Sequence, residues 1–301
     1  MQEEHFQRYA HAPDIRQPRK DDLPQGLTRF VCKVAYDGTN FYGWQSQACG
    51  KTIQDTLERR ISKIFLSLIR IHGSGRTDSG VHATGQVFHF DAAWNHSLET
   101  LHRALRSALP DSIRIISVKT GRANFHARYS AFGKRYCYNI YEGYALPDRA
   151  RYCFSTGENK LDTDAMSAAA SLLLGIHDFS AFCGRKVNLA GDENPVKDLR
   201  LLKVTRRGAR IVIATEASGY LYKMVRRLAG GLMQVGLGNM KPQELLAYRD
   251  ARIGSPNVPS APARGLTMEK VFYRQPNNQT PPLSLKTQVP PQSLPHPPSL
   301  P

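Results

Sequence analysis

Acidic side chains are scarce in this 301-residue sequence: 25 Asp and Glu stand against 41 Lys and Arg, a formal charge of +16. Neither end accounts for the imbalance. Residues 1–28 hold four basic and five acidic side chains and residues 275–301 hold Lys286 alone, so the whole excess lies between them. A folded region that basic attracts polyanions, and phosphate backbones are the commonest of these. An anionic membrane surface is the alternative, but the sequence offers no basic amphipathic helix or lipidation motif to support it. Cysteine is sparse too: Cys32, Cys49, Cys137, Cys153 and Cys183 are odd in number and contain no C-x-x-C pair. That argues against a disulfide framework and a zinc site, and for a reducing compartment. No apolar run reaches the length of a membrane span. The opening MQEEHF is too acidic for a secretory signal, and early acidic residues weigh against a transit peptide. G-x-x-x-x-G-K-[ST] is absent, which removes the phosphate-binding P-loop.

What is present divides into four parts. Residues 1–28 show mixed charge and no periodicity, the pattern of a disordered leader, and residues 275–301 carry nine prolines, the pattern of a flexible tail. Between them strand and helix patterns interleave in two halves, 29–135 and 136–274. In the first half, RFVCKVAY (29–36) alternates as a strand and ends at the turn signal Asp37-Gly38. Thr52 and Asp55 make a capping box ahead of Ile53, Leu57, Ile61, Ile64 and Leu68 at helical spacing. GQVFHF (85–90) predicts a strand, Leu98, Leu101 and Leu105 a helix closed by Pro110, and IRIISVK (113–119) another strand. The second half repeats the plan. RYCYNIY (135–141), LRLLKV (199–204), RIVIAT (210–215) and 266–273 are strands; Asp162 caps an Ala/Leu-rich helix that stops at Gly175, and GYLYKMVRRLAGGLMQVG (219–236) enters a second helix. Two strand-rich halves with two helices each predict an α+β protein of two similar subdomains with a cleft between them.

The stretch GSGRTDSGVHATGQVFHF (73–90) carries the chemistry. Glycines at 73, 75 and 80 permit a backbone that exposes a side chain and admits another molecule closely. Asp78 is the exposed group, with Arg76 near enough to meet it or a phosphate. A substrate that seals the carboxylate from water raises its pKa, and a neighbouring guanidinium opposes that by about 1–3 units. Such a carboxylate stays charged in a closed site, as a nucleophile or base. An Asp that merely caps a Gly-rich turn is the equal competitor on this fragment. Asp78-Ser79-Gly80 also matches the D-[ST]-G of aspartic proteases, but those need two carboxylates sharing a proton, and no second D-[ST]-G exists here.

GRTDSGVHATGQVFHF resembles the signature of the tRNA pseudouridine synthase A (TruA) family, whose pattern is close to GRTDAGVHA; Ser79 stands where alanine is usual. The resemblance continues through YDGTNFYGWQ (36–45), FHARYSAFGKRYCY (125–138), GIHDFSAF (175–182), YLYKMVRRLAG (220–230) and ARGLTMEKVFY (263–273). It is weakest over KVNLAGDENPVKDL (186–199). The resemblance implies isomerisation of uridine to pseudouridine in tRNA, without metal or organic cofactor. Asp78 would be the nucleophile that enables cleavage of the N-glycosidic bond, after which the base rotates and rejoins through carbon 5. Tyr136 falls where the family stacks a tyrosine on the target base and uses it in proton transfer. Arg226 falls where an arginine pairs with the catalytic aspartate. Arg76, Arg128, Arg135 and Leu266 fall, with Tyr136, at substrate-binding positions. The implied fold is the pseudouridine synthase fold, two α+β subdomains sharing a mostly antiparallel sheet with a basic cleft between. The implied assembly is a homodimer, soluble and intracellular, acting in the anticodon stem-loop around positions 38 to 40.

The residues read by themselves agree in part. Lys134-Arg135 and Lys223, Arg226 and Arg227 put cations beside Tyr136 and within YLYKMVRRLAG; a solvated face is the plain reading of such runs. An aromatic flanked by cations is also what an extruded base requires. Tyr138, two residues on, reads as cross-strand packing. His72, His82, His89, His126 and His177 sit at no metal-ligand spacing, so structural roles are expected of them. The competing function is a non-catalytic RNA-binding relative that keeps only the basic cleft.

Overall fold

The computed structural model describes residues 23–107, 109–184, 194–252 and 258–273. The tail expected at 275–301 and most of the leader expected at 1–28 lie outside the described residues. Strand β1 (Thr28–Tyr36) buries Phe30, Cys32, Val34 and Tyr36, the alternate positions of its pattern. Helix α1 (Ile53–Phe65) starts where its cap requires, with Thr52 Oγ1 accepting from Asp55 N at 3.1 Å. It ends earlier than the spacing predicts. Leu66 turns left-handed at φ 51°, and Ser62 accepts the Ile69 N–H on its Oγ at 3.0 Å. The chain thereby reverses to bury Ile71, and Leu68, expected on the helix, is 77% exposed.

The short strand β2 (His72–Gly73) leads into the 74–81 loop and β3 (His82–Ala92). Helix α2 (Leu98–Arg106) and edge strand β4 (Ile113–Thr120) complete the first half. The second half runs through β5 (Ala131–Tyr141), the one-turn α3 (Pro147–Ala150), β6 (Phe154–Ser155), α4 (Thr163–Leu172), β7 (Gly175–Asp178), β8 (Val196–Arg207), β9 (Arg210–Ala217) and α5 (Met224–Gly236). Asp162 caps α4 as expected, accepting from Asp164 N and Ala165 N at 2.9 Å each. A helix that the periodicity does not announce follows, α6 (Pro242–Ala251), so the second half has more than the expected two. Only Leu245, Tyr248 and Arg249 of α6 are buried, too few to make a stripe.

One sheet runs through both halves in the order β4-β1-β3-β10-β5-β9-β8-β7, with β2 on β3 and β6 on β5. Its ladders are antiparallel except β3–β10 and β5–β6. The joint is β10 (Leu266–Tyr273), last in the chain and central in the sheet. It pairs in parallel with His82 and Ala83 on one side and antiparallel with β5 on the other. The approach is close: a Cβ on Gly85 would lie 2.0 Å from Glu269 O. Residues distant in sequence therefore meet where β3, β10 and β5 adjoin.

Candidate active site

The loop that carries Asp78 is fastened at several points along its length. Ser74 N donates to Val87 O at 2.7 Å, Ser74 Oγ to Gln86 Oε1 at 2.6 Å, and Gln86 Nε2 to Gly75 O at 2.7 Å. Thr77 Oγ1 meets Tyr36 OH at 2.9 Å, and Trp44 N donates to Thr77 O at 3.1 Å. The segment 36–45 is the backing of this loop. Gly43 sits at φ +81°, where a Cβ would come 2.5 Å from Thr77 O, so only glycine lets the two strands of backbone touch. Ser79, the departure from the family pattern, donates through Oγ to Phe41 O at 3.1 Å.

The partner of the Asp78 carboxylate is Arg226, 148 residues away in sequence. Its Nη1 donates to Asp78 Oδ2 at 2.8 Å while its Nε donates to Ala261 O at 2.7 Å. Ala261 N in turn donates to Arg226 O at 2.9 Å, so the arginine is fixed at both ends. Arg76, adjacent in sequence, does not supply this contact; its Nε donates to Gln45 Oε1 at 3.0 Å. Tyr136 projects from β5 into the same space, 7% exposed, with the Tyr220 ring edge-on at 5.2 Å. Burial pushes its phenol well above the ordinary value, and Tyr36, Tyr220 and the Asp78 carboxylate push in the same direction. The hydroxyl is therefore protonated at neutral pH.

A cavity of about 680 Å³ opens over these groups. Asp78, Tyr136, Tyr220, Leu266 and Arg226 line it together with His72, His126, Arg128 and Tyr129. Its charged lining is one carboxylate, Asp78, among the cations Arg70, Arg76, Arg128, Lys134, Lys223 and Arg226. The predicted site residues Asp78, Arg226, Tyr136, Arg76, Arg128 and Leu266 thus converge. Arg135 does not: alternation along β5 turns it away from the cavity, onto Glu216 Oε2 at 2.8 Å and over the Phe272 ring. Arg227 likewise leaves the site for Tyr248 OH at 2.8 Å. Tyr138 packs as expected, fully buried, donating to Pro262 O at 2.9 Å.

Two features were not singled out from the sequence by role. Tyr220 is one; an aromatic placed just ahead of the helix bearing Arg226 is its signal in YLYKMVRR. The other is the network about Asp37, whose carboxylate accepts from Thr39 N at 3.0 Å, Thr39 Oγ1 at 2.6 Å and Tyr152 OH at 3.1 Å, with Arg151 at 3.3 Å. Burial raises the Asp37 carboxyl, but the bonds from Thr39 and Tyr152 outweigh it and hold the group below its ordinary value. His82 beside it is held down by burial, so its neutral ring accepts Gly38 N–H on Nδ1 at 3.1 Å and gives Nε2–H to Arg151 O at 3.2 Å. This ties the turn at Asp37-Gly38, the strand leaving the Asp78 loop and the segment after α3 into one support. The other histidines expected to be structural also hold structure: the rings of His72, His89 and His126 cluster at 4.7 to 5.6 Å, and His177 meets Leu174 O at 2.8 Å. Among the described residues no group of three or more His, Cys, Asp or Glu side chains is placed to hold a metal ion.

A carboxylate clamped by a guanidinium, under an aromatic wall and inside a basic cavity, suits covalent or electrostatic work on the sugar of a nucleotide whose base stacks on the ring. The family model described as tRNA pseudouridine synthase matches residues 33–130 and 169–274. A protein of Brevibacillus brevis called tRNA pseudouridine synthase A is 39% identical over 248 residues, 82% of this chain and all of the relative. One of Methylobacterium sp. with the same name is 38% identical, covering 83% of this chain and 99% of the relative. A third, from Staphylococcus carnosus, is 36% identical over 81% of this chain and 90% of its own length.

Proposed function

Because the chain belongs to the tRNA pseudouridine synthase family, we propose that it isomerises uridine to pseudouridine in tRNA with Asp78 as the nucleophile. The observation that carries the residue assignment is the Asp78–Arg226 pair, 2.8 Å long, in one cavity with the Tyr136 ring. The target nucleotide leaves its stack and places its base on Tyr136, which returns about 1–3 kcal/mol against the few kcal/mol that extrusion costs. Asp78 assists rupture of the bond between N1 and C1′, the base turns in the cavity, and carbon 5 takes the place of N1. Carbon 5 gives up its proton and N1 gains one, so the reaction balances with no co-reactant. Tyr136, protonated in the free enzyme, stacks on the base and takes part in that proton transfer. Arg226 holds Asp78 aimed. Arg76, Arg128 and Leu266 contact the substrate around the base; Arg135 contributes from outside the cavity, by steering phosphates.

The target is the anticodon stem-loop around positions 38 to 40, where a stem end makes extrusion least costly. The two halves, 29–135 and 136–274, form the walls of the cleft. The enzyme works as a homodimer inside the cell, one subunit gripping the tRNA body while the other presents Asp78. No helix among the described residues is long and apolar enough to cross a membrane. Mapping pseudouridine across total tRNA from a strain lacking its own enzyme tests the reading, with wild type or Asp78→Asn supplied. Marks in the anticodon arm with wild type, and none with Asp78→Asn, are expected; EDTA leaves the wild-type marks unchanged. Marks only elsewhere would overturn the target, and intact tRNA binding with no marks would favour the non-catalytic RNA-binding relative.

A further inference from the structure

A second basic cavity lies at the β4 edge of the sheet, away from the described chemistry at its centre. It has a volume of about 520 Å³, between the end of α2 and the start of β4, and is lined by His102, Arg103, Arg106, Ser107 and Arg114, with Glu99 its one carboxylate. The three arginines are exposed. Among the described residues none of the three has a carboxylate within ion-pairing distance or donates a side-chain hydrogen bond. The contrast with a neighbour is informative. Arg60 reaches across from α1 to donate to Ala104 O at 2.7 Å and to Ser107 Oγ, closing the end of α2. His102 is spent as well, on Ile115 O at 3.0 Å. The structural needs of this corner are met without Arg103, Arg106 and Arg114.

The dipole of α2 gives Arg103 and Arg106 a modest reason to sit in its last turn, about 0.3–1 kcal/mol each. It gives none for Arg114, which arrives from another element to face them. Three like charges around one groove repel one another unless an anion sits among them. Planar guanidinium forks match phosphate oxygens in pairs. The groove cannot touch the target base. Strand β4 is four steps along the sheet from β5, which carries Tyr136, roughly 19 Å at about 4.8 Å per step.

We propose that this groove is a second docking point for the substrate, holding the phosphate backbone of the tRNA outside the arm that carries the target uridine. The inference rests on the tRNA isomerase reading for its occupant. It accounts for part of the +16 charge that the catalytic cavity does not use.

The experiment compares wild type, the triple variant Arg103→Ala/Arg106→Ala/Arg114→Ala and the corresponding triple Lys variant on full-length tRNA and on an isolated anticodon stem-loop. Equal melting temperatures establish that all three are folded. For the Ala variant on full-length tRNA, we expect Kd and KM to rise about tenfold in 0.1 M salt and the slope of log K against log salt to become shallower by roughly two to three, as for two to three lost phosphate contacts. kcat is expected to be unchanged, the stem-loop KM to be unchanged, and the Lys variant to recover most of the affinity. An unchanged affinity and slope on full-length tRNA would overturn the docking point. An equal loss on the stem-loop would overturn its placement outside the target arm. Wild type that binds tRNA through these arginines yet forms no pseudouridine would sink the isomerase reading and leave the docking point standing.

Discussion

At the scale of single residues the site depends on one guanidinium doing two things. Arg226 uses Nη1 on Asp78 and Nε on Ala261 O, so it sets the angle of the carboxylate as well as balancing its charge. A lysine has one ammonium and no planar fork. Arg226→Lys should therefore lower kcat at least about a hundredfold, the cost of a misplacement near 1 Å, with tRNA affinity within about threefold. Near-normal turnover would mean that Arg226 steers phosphate instead. Tyr136 separates into ring and hydroxyl. Tyr136→Leu removes stacking worth about 1–3 kcal/mol, roughly 5- to 150-fold in affinity for a substrate with its base extruded. Tyr136→Phe should keep that affinity. Release of tritium from carbon 5 reads the hydroxyl separately, and loss of both signals together in the Phe variant would refute the division.

At the scale of elements the support of the Asp78 loop is the point most open to test. A Cβ on Gly43 would meet Thr77 O at 2.5 Å, and its φ of +81° strains any other residue. Gly43→Ala should cost more than about 1 kcal/mol of stability and lower kcat more than it raises KM, because the displaced backbone carries Asp78 and not the walls that bind tRNA. A melting curve with paired kcat and KM checks this; equal changes in kcat and KM would place Gly43 in binding. Much of this scale was legible in the sequence. Thr52 and Asp162 announced their helices because a cap is a local contact between neighbours. Asp78 was legible because glycines, arginine and carboxylate sit within one turn. Its true guanidinium was not legible from spacing, since Arg226 arrives through tertiary packing; only the family pattern pointed to it. The placement of Arg135 was missed for a simpler reason: strand alternation allots neighbours to opposite faces, and Tyr136 takes the cavity side. Helix α6 hid because it buries only three residues.

At the scale of the whole molecule, the charge is basic, while two histidines of the described residues, His82 and His89, are buried. His89 is 2% exposed, with His72 stacked on it at 5.0 Å, His126 edge-on at 4.7 Å and the Arg29–Asp91 pair close by. Burial holds its imidazole down to about 3, helped by His126, His72 and Arg29 and opposed by Asp91. Burial also lowers His126 to about 4, with His72, Arg29 and Arg128 adding to it. Unfolded, both titrate near 6.5. The native state thus binds fewer protons than the unfolded chain between those values, and stability must rise with pH there. Above pH about 6.5 neither ring contributes a slope; as pH falls towards 4, His89 alone removes stability at up to about 1.36 kcal/mol per unit. The carboxyls held low, Asp37, Asp55 and Glu142, lose their stabilising charge only once pH falls below their ordinary values, near 4. The window from 6.5 to 4.5 therefore isolates the histidines. Denaturant unfolding at half-unit steps of pH should show stability level from 8 to 7 and falling by roughly 2–4 kcal/mol from 6.5 to 4.5, with His89 and the half-buried His126 both contributing. His89→Asn, which can still accept the Ala127 N–H that His89 Nδ1 accepts at 3.2 Å, should remove about half of that fall and leave the share of His126. A wild-type curve already flat to pH 4.5 would mean that the stacked rings admit a proton or water that their burial argues against.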